Sequence, residues 1–130
     1  GDKENAREML AQYSAASAEK KADRELAAGV VSAYVHSTGT IGVLLELGCE
    51  TDFVAKNEEF VALAKDLAMH VCAMAPTSIN NEDGAGDETS LMKQSFLKDS
   101  SITVEQRIQA AIQKFGENTK VTRFARYSIA

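Results

Sequence analysis

The apolar residues of this chain change their spacing partway along, and few folds accommodate that change. Val31, Ala33 and Val35 alternate with Ser32, Tyr34 and His36. After a short break, Ile41, Val43, Leu45, Leu47 and Cys49 alternate with Gly42, Leu44, Glu46 and Gly48. A period of two puts one set of side chains on one face of a sheet. The break, Ser37-Thr38-Gly39-Thr40, is a turn cluster in which Gly39 is free to take positive φ. The spacing therefore predicts a β-hairpin with one buried face. From Phe60 the period becomes helical: Phe60, Leu63, Ala64, Leu67, Ala68, Val71, Cys72 and Ala75 recur at three- and four-residue steps. Asn57 is a plausible N-cap, Glu58 and Glu59 suit the positive end of the helix dipole, and Pro76 helps to stop the helix.

The flanking segments complete an α+β pattern. Ala6, Met9, Leu10 and Tyr13 mark one face of a first helix, and Ala15 to Ala28 reads as a second helical run stopped at Gly29. Residues 77–90 form an acidic, glycine-containing loop with almost no apolar content, expected to be mobile. Leu91 to Ser101 carries apolar residues without a firm period. Thr103-Val104-Glu105-Gln106 fits a capping box, and Val104, Ile108, Ala111, Ile112 and Phe115 form the stripe of a helix that Gly116 ends. Thr119 to Ile129 reads as a last strand, with Val121, Ala125, Tyr127 and Ile129 in phase and Arg123 interrupting. The fold expected is a three-stranded antiparallel sheet packed with helices and preceded by N-terminal helices.

Length and composition narrow the functions. A chain of 130 residues, 45% hydrophobic and 25% charged, is one globular domain with room for a helical appendage. No apolar stretch is long enough to span a bilayer, and no basic start followed by an apolar run suggests a signal peptide. The net charge of -5 is uneven: residues 46–59 carry five acidic groups against one basic, and residues 77–99 five against two. Only residues 100–130 are basic, with five against two, so a nucleic-acid footprint is not expected. Arg123 and Arg126 read as a solvated strand edge. Cys49 and Cys72 make no disulfide framework, sit in apolar surroundings and fit a reducing compartment. His70 and Cys72 splay to different sides of their helix and no further ligand sits at metal spacing, so neither metal nor cofactor is expected.

Catalytic constellations are thin. Cys49 and His36 make a thiol and a base on paper, but the alternation puts them on opposite faces. Gly84 and Gly86 lack the Lys-Ser or Lys-Thr of a phosphate loop. Glu46, Glu50 and Asp52 read as an exposed acidic rim more readily than as an acid–base pair. One segment stands out, Cys49-Glu50-Thr51-Asp52-Phe53-Val54-Ala55, which joins a buried strand to the long helix. Thr51 or Asp52 can cap a short turn there. Phe53 either plugs the end of the core, which the residues alone favour, or projects as an anchor for a partner pocket.

These residues carry a resemblance. Gly29-Val30-Val31, His36, Ile41-Gly42-Val43-Leu44 and Cys49 through Asn57 resemble the elongation factor Ts family, guanine-nucleotide exchange factors for the translational GTPase elongation factor Tu. The similarity continues through Leu67-Ala68-Met69-His70, Pro76, Gln94, Phe96, Lys98-Asp99, Gly116-Glu117-Asn118, Val121, Arg123-Phe124 and Arg126-Tyr127. It implies that residues 1–28 are the remnant of a ubiquitin-associated-like N-terminal domain with its linker helix. Residues 29–130 would then be the dimerisation and exchange core, with the acidic loop at 77–90 replacing a longer excursion. It implies no enzyme chemistry: Phe53 would act as a wedge beside the Mg²⁺ and phosphate site of the GTPase, with Asp52 orienting the loop and Thr51 and Val54 fixing its turn. Phe115 and Gly116 match a second partner-contacting turn, His36 a hairpin contact and Lys21 a linker contact, each also readable as an ordinary surface or core residue. The partner implied is elongation factor Tu, in a two-plus-two complex with a homodimer formed on the sheet face, and with no direct nucleic acid and no membrane. The alternative is a translation-associated docking module without competent exchange. A bacterial cytoplasm, a plastid stroma and a mitochondrial matrix all fit.

Overall fold

The computed structural model describes residues 2–129, with side chains from residue 12 onward, so the expected Ala6, Met9 and Leu10 face lies outside the described side chains. The chain starts with a single helix, α1 (Asp2–Lys21), in place of the two helical runs read from the sequence. α1 stops well before Gly29, and carbonyls of the turn that follows it are captured from outside. The Asn118 amide donates to Ala22 O (3.3 Å) and Arg24 O (2.8 Å), and the Lys120 ammonium donates to Ala22 O (3.2 Å). Tyr13 is largely exposed on α1, while Ser14 is buried and hydrogen-bonded to Gln113.

The expected hairpin follows as β1 (Ala28–Val35) and β2 (Ile41–Cys49), antiparallel from Ala28 opposite Cys49 to Val35 opposite Gly42. Gly29 lies inside β1, where a Cβ would sit 2.5 Å from Leu47 O. Its role is close strand approach and not helix termination. On β2 the buried set is the one expected: Val43, Leu45, Leu47 and Cys49. On β1 the phase is the reverse of the simplest reading. Val30, Ser32 and Tyr34 turn inward, while Val31 and Val35 are about two-thirds exposed. Both alternating sets of β1 contain apolar residues, so period alone could not choose between them.

The turn after β2 carries a short helix α2 (Asp52–Ala55), then α3 (Glu58–Met74), which lies across β1 and β2. Asn57 caps α3 by accepting from the Glu59 N–H at 2.8 Å. Phe60, Leu63, Ala64, Leu67, Ala68, Val71 and Cys72 are buried as the stripe required, and His70 widens that stripe. Ala75 instead takes a left-handed cap, φ 47°, and is exposed. Each fully buried Leu or Phe here is worth about 1.5–3 kcal/mol. Residues 91–101, which had no readable period, form a short 3₁₀ turn followed by a small ladder of β3 (Ser95–Phe96) and β4 (Asp99–Thr103).

The capping box is present as expected. The Thr103 hydroxyl accepts from Gln106 N–H (3.2 Å), and the Gln106 side chain accepts from Thr103 N–H (2.9 Å), starting α4 (Val104–Phe115). Gly116 closes α4 at φ 72°, a left-handed position that suits glycine. β5 (Lys120–Ser128) then pairs with β2, giving the order β1-β2-β5. Here the strand's phase breaks. Arg123 faces Glu46 and Val121 faces Leu47, so Thr122 is the extra residue of a bulge. Val121 therefore points into the core, whereas Arg123, Ala125 and Tyr127 share the outer face. The three-stranded antiparallel sheet with helices on one side is the α+β architecture expected, and its other side is bare.

Candidate functional site

The site is built on the turn between β2 and α3. Thr51 caps α2, its hydroxyl accepting from Val54 N–H at 3.4 Å. Val54 and Ala55 are buried, and the opposite side of this single turn carries Asp52 and Phe53. Phe53 is 85% exposed. The core-plug reading is therefore overturned: Val54 takes the inward place, and the geometry of one helical turn sends its neighbour outward.

A second turn, after α4, grips the first. One oxygen of the Glu117 carboxylate accepts from Glu50 N–H (3.1 Å) and Thr51 N–H (3.0 Å), and the other accepts from the Thr51 hydroxyl (2.7 Å). In return Glu50 accepts from Asn118 N–H at 2.5 Å, and Arg24 stands 3.7 Å from Glu50. Asn118, itself buried, reaches the carbonyls just after α1. Three segments distant in sequence thus meet at one junction. Lys21, the last residue of α1, directly precedes Ala22 of this junction; its ammonium donates to the Ser17 hydroxyl at 2.8 Å. Gly116 is exposed beside this junction and its carbonyl accepts from Arg24 at 3.5 Å. Phe115 is half-buried, edge-on to Phe60 with ring centres 6.0 Å apart. Below the turn, Cys49 is buried and donates to Thr51 O at 3.2 Å. Burial pushes its thiol pKa up, and the carboxylates of Glu117, Asp52 and Glu50 add to that against the Thr51 hydrogen bond.

The remaining sequence candidates lie elsewhere. His36 is exposed at the far end of the hairpin, 3.5 Å from the Tyr34 hydroxyl. It shares the inner face with Cys49, contrary to the opposite faces expected. The two still cannot react, because the length of the hairpin separates them, roughly 23 Å at about 3.3 Å per residue. The acidic rim also dissolves. Glu46 lies on the outer sheet face, bonded to Arg123 (2.7 Å) and Thr122 (2.9 Å), with its pKa lowered by those bonds; Glu59 pairs with Lys114. Arg126 is no solvated edge: its guanidinium donates twice to Cys72 O (3.1 Å each) and holds the end of α3 to β5. Among the described residues no three of His, Cys, Asp and Glu converge as metal ligands.

The outer sheet face is a second candidate surface. Val31, Val35, Leu44 and Tyr127 are more than half exposed on it, around the Glu46–Arg123 pair. The resemblance pointed to a sheet face as a contact surface, but the spacing did not identify its residues, because it placed the β1 valines and the β5 residues inside. Sequence reasoning also missed Glu117 as the holder of Thr51, since no local pattern links residues 66 apart.

Known proteins are similar to this chain. A family model described as Elongation factor TS matches residues 16–85. Elongation factor Ts of Desulforamulus reducens is 39% identical, covering 99% of this chain and 76% of that protein. Elongation factor Ts of Thermosipho melanesiensis is 38% identical, covering 99% of this chain and 84% of that protein. That of Geobacter metallireducens is 35% identical over 99% and 76%. These alignments run over 165 positions against a chain of 130 residues, so the relatives carry inserted residues that this chain lacks.

Proposed function

The chain belongs to the elongation factor Ts family, and on that premise we propose that it serves translation elongation as a guanine-nucleotide exchange factor for elongation factor Tu. The proposal is non-covalent catalysis: the chain binds the GTPase best in a form that holds GDP poorly. The observation that carries it is Phe53, 85% exposed on a turn capped by Thr51 and tied to Glu117. An aromatic ring held out in water without packing of its own costs free energy in the isolated chain. A partner pocket recovers it.

In this mechanism Phe53 enters beside the Mg²⁺ and phosphate site of the GTPase. Mg²⁺ tolerates little departure from octahedral geometry, and it neutralises the terminal phosphates, so displacing its surroundings loosens GDP. Asp52, exposed beside Phe53, orients the entering loop; Thr51 and buried Val54 hold the turn. The exposed edge of Phe115 with Gly116, and Lys21 across the junction, form the docking surround. Linkage makes the effect reciprocal: to the extent that the factor weakens GDP, GDP weakens the factor.

A second copy completes the assembly. His36 lies at the opposite end of the molecule from Phe53, so one chain cannot present both to one site. The bare sheet face is apolar at Val31, Val35, Leu44 and Tyr127 and carries both charge signs at Glu46 and Arg123, which suits an isologous pair. We propose that the protein works with the translation machinery in the cytoplasm.

The test is release of a fluorescent GDP from elongation factor Tu. The chain should accelerate release, and Phe53→Ala should lose on the order of tenfold to a hundredfold of that acceleration, the scale of a buried aromatic hot spot. Binding without acceleration by the unaltered chain would favour a docking module. Sedimentation should give a dimer that Leu44→Glu converts to a monomer; a monomer at high micromolar concentration of the unaltered chain rules the pair out.

A further inference from the structure

We infer that Glu117 is the positioning residue of the exchange reaction: its carboxylate fixes the turn that aims Phe53. The inference rests on the reading of Phe53 as the wedge. Phe53 is 85% exposed and gains no orientation from packing, so the backbone of α2 alone decides where its ring points. A four-residue helix cannot hold itself, because nucleation fixes several dihedrals for a single hydrogen bond. Something outside must supply the order, and Glu117 makes three bonds to the residues that start the turn.

The chemistry of those bonds is directional. A hydroxyl has one proton and two lone pairs. By donating to Glu117 at 2.7 Å, the Thr51 hydroxyl turns a lone pair toward Val54 N–H, which it caps at 3.4 Å. Glu117 therefore sets the rotamer of the capping hydroxyl as well as pinning two backbone amides. Glu117 is in turn placed by α4's left-handed end at Gly116 and by Asn118, whose N–H is held by Glu50 and whose amide is held by the Ala22 and Arg24 carbonyls just after α1. The wedge is aimed by a reciprocal clasp in which each turn's glutamate accepts from the other turn's backbone.

The consequence is kinetic. Docking through the other surfaces survives loss of Glu117, but the ring then samples many directions in the docked complex. The saturating rate of GDP release falls with the fraction of time it is correctly aimed. Glu117→Ala should lower the saturating rate about tenfold while the half-saturating concentration changes less than about threefold. Glu117→Gln should stay within about threefold of the unaltered chain, because its carbonyl still accepts both amides and its NH₂ donates to the Thr51 hydroxyl. Amide exchange at Val54 should quicken in Glu117→Ala while exchange in α3 stays unchanged.

The decisive measurement is the double variant. If Glu117 acts only through the wedge, Glu117→Ala added to Phe53→Ala changes the rate less than about twofold, whereas general destabilisation would subtract a further factor. A full additional tenfold loss overturns the inference, as does an undiminished Glu117→Ala beside an inactive Phe53→Ala. An undiminished Phe53→Ala fails the wedge reading itself and takes this inference with it. Should Glu117→Ala not fold, Thr51→Val removes the hydroxyl and leaves the amide contacts. A loss of about threefold then supports the clasp and no loss overturns it.

Discussion

Two acidic turns flank α3, and they are held by opposite means. The turn before it, at Thr51, is held from far away by Glu117, Asn118 and the carbonyls just after α1. The turn after it, residues 77–90, is held chiefly by its own residues. Glu82 accepts from the N–H groups of Ile79 (2.9 Å) and Asn80, Asp83 from the Thr77 hydroxyl (2.6 Å) and Ala85 N–H (3.0 Å), and Asn81 from Gly86 N–H (2.9 Å). It is thus a loop bonded to itself, a feature that its acidic, glycine-containing composition does not announce. Local bonds specify a loop's own shape, whereas distant bonds specify where a loop points relative to the core. Only the first turn needs the second property, because only it carries an exposed aromatic ring outward. The acidic loop reaches the core through the packing of Ile79 and, by way of Gln94, through a buried anchor, His70. That imidazole accepts from Leu97 N–H on Nδ1 (3.1 Å) and donates from Nε2 to Gln94 (2.9 Å), while Gln94 donates to Glu88 O (3.0 Å) and Met74 O (3.4 Å).

The largest effect should come from breaking that anchor. His70→Ala removes a fully buried ring stacked on Phe96, strands the Leu97 N–H and leaves Gln94 short of a partner. A cavity plus unsatisfied polar groups should cost about 2–4 kcal/mol. Denaturant unfolding measures this. Because the acidic loop lies far from the Thr51 junction in the bonding network, saturating GDP release by the folded fraction should change less than about twofold. A large loss of rate in folded His70→Ala would erase the contrast between the two turns.

How much of this was legible in the sequence follows from the range of each interaction. β2 and α3 could be read because their large inward residues recur at one period, although His70 joins the buried stripe of α3 unannounced. β1 misled because Val30 and Val31 are equally apolar, so the pattern has a period without a phase. β5 misled because the bulge at Thr122 inverts the faces midway, and a bulge leaves no composition signal. The capping box and Asn57 cap were readable because donor and acceptor lie two or three residues apart. At the site, the Thr51 cap was readable for the same reason. The outward course of Phe53 and the hold of Glu117 were not, since both depend on which turn comes to lie beside which.

The anchor also predicts a pH effect of intermediate size. Burial lowers the His70 pKa from the usual 6.5, against a smaller opposing contribution from Gln94. The sign follows from proton counts. Below about 6.5 the unfolded chain binds a proton that the folded chain does not, so stability is complete above that pH and falls as pH drops from 6.5 toward the lowered folded value. The slope from this one group should not exceed about 1.4 kcal/mol per pH unit. Unfolding free energies between pH 7.5 and 5 should show it, and His70→Leu should remove it. A slope that survives in His70→Leu would transfer the effect to other groups. At the first turn, Thr51→Ala should cost about 1 kcal/mol, the usual worth of a cap. Its exchange defect should exceed what that loss of stability explains.

The smallest effect should come from the acidic loop's own caps. The Glu82 pKa is lowered mainly by its bonds to the backbone of Ile79 and Asn80, and that of Asp83 mainly by the Thr77 hydroxyl and then Ala85. Both side chains stand in water, where each bond replaces one to solvent and salt screens the charge. Glu82→Gln with Asp83→Asn should leave the denaturation midpoint at pH 7 unchanged and GDP release unaffected. Lowered carboxylate pKa values mean that their contribution is present above the unfolded value, about 4.5 for Glu82, and is lost as pH falls through the folded one. Acid should therefore lower the protection of the Ile79, Asn80 and Ala85 amides, measured against intrinsic exchange at each pH, below about pH 4.5 before it touches α3. Val54, whose N–H is capped by the Thr51 hydroxyl, serves as the comparison amide in the same titration. Monitoring Val54 and Asn80 amides in one experiment thus compares a clasp built from distant residues with one built from neighbours. Release of both together, followed at once by α3, would mean that neither turn is organised apart from the core.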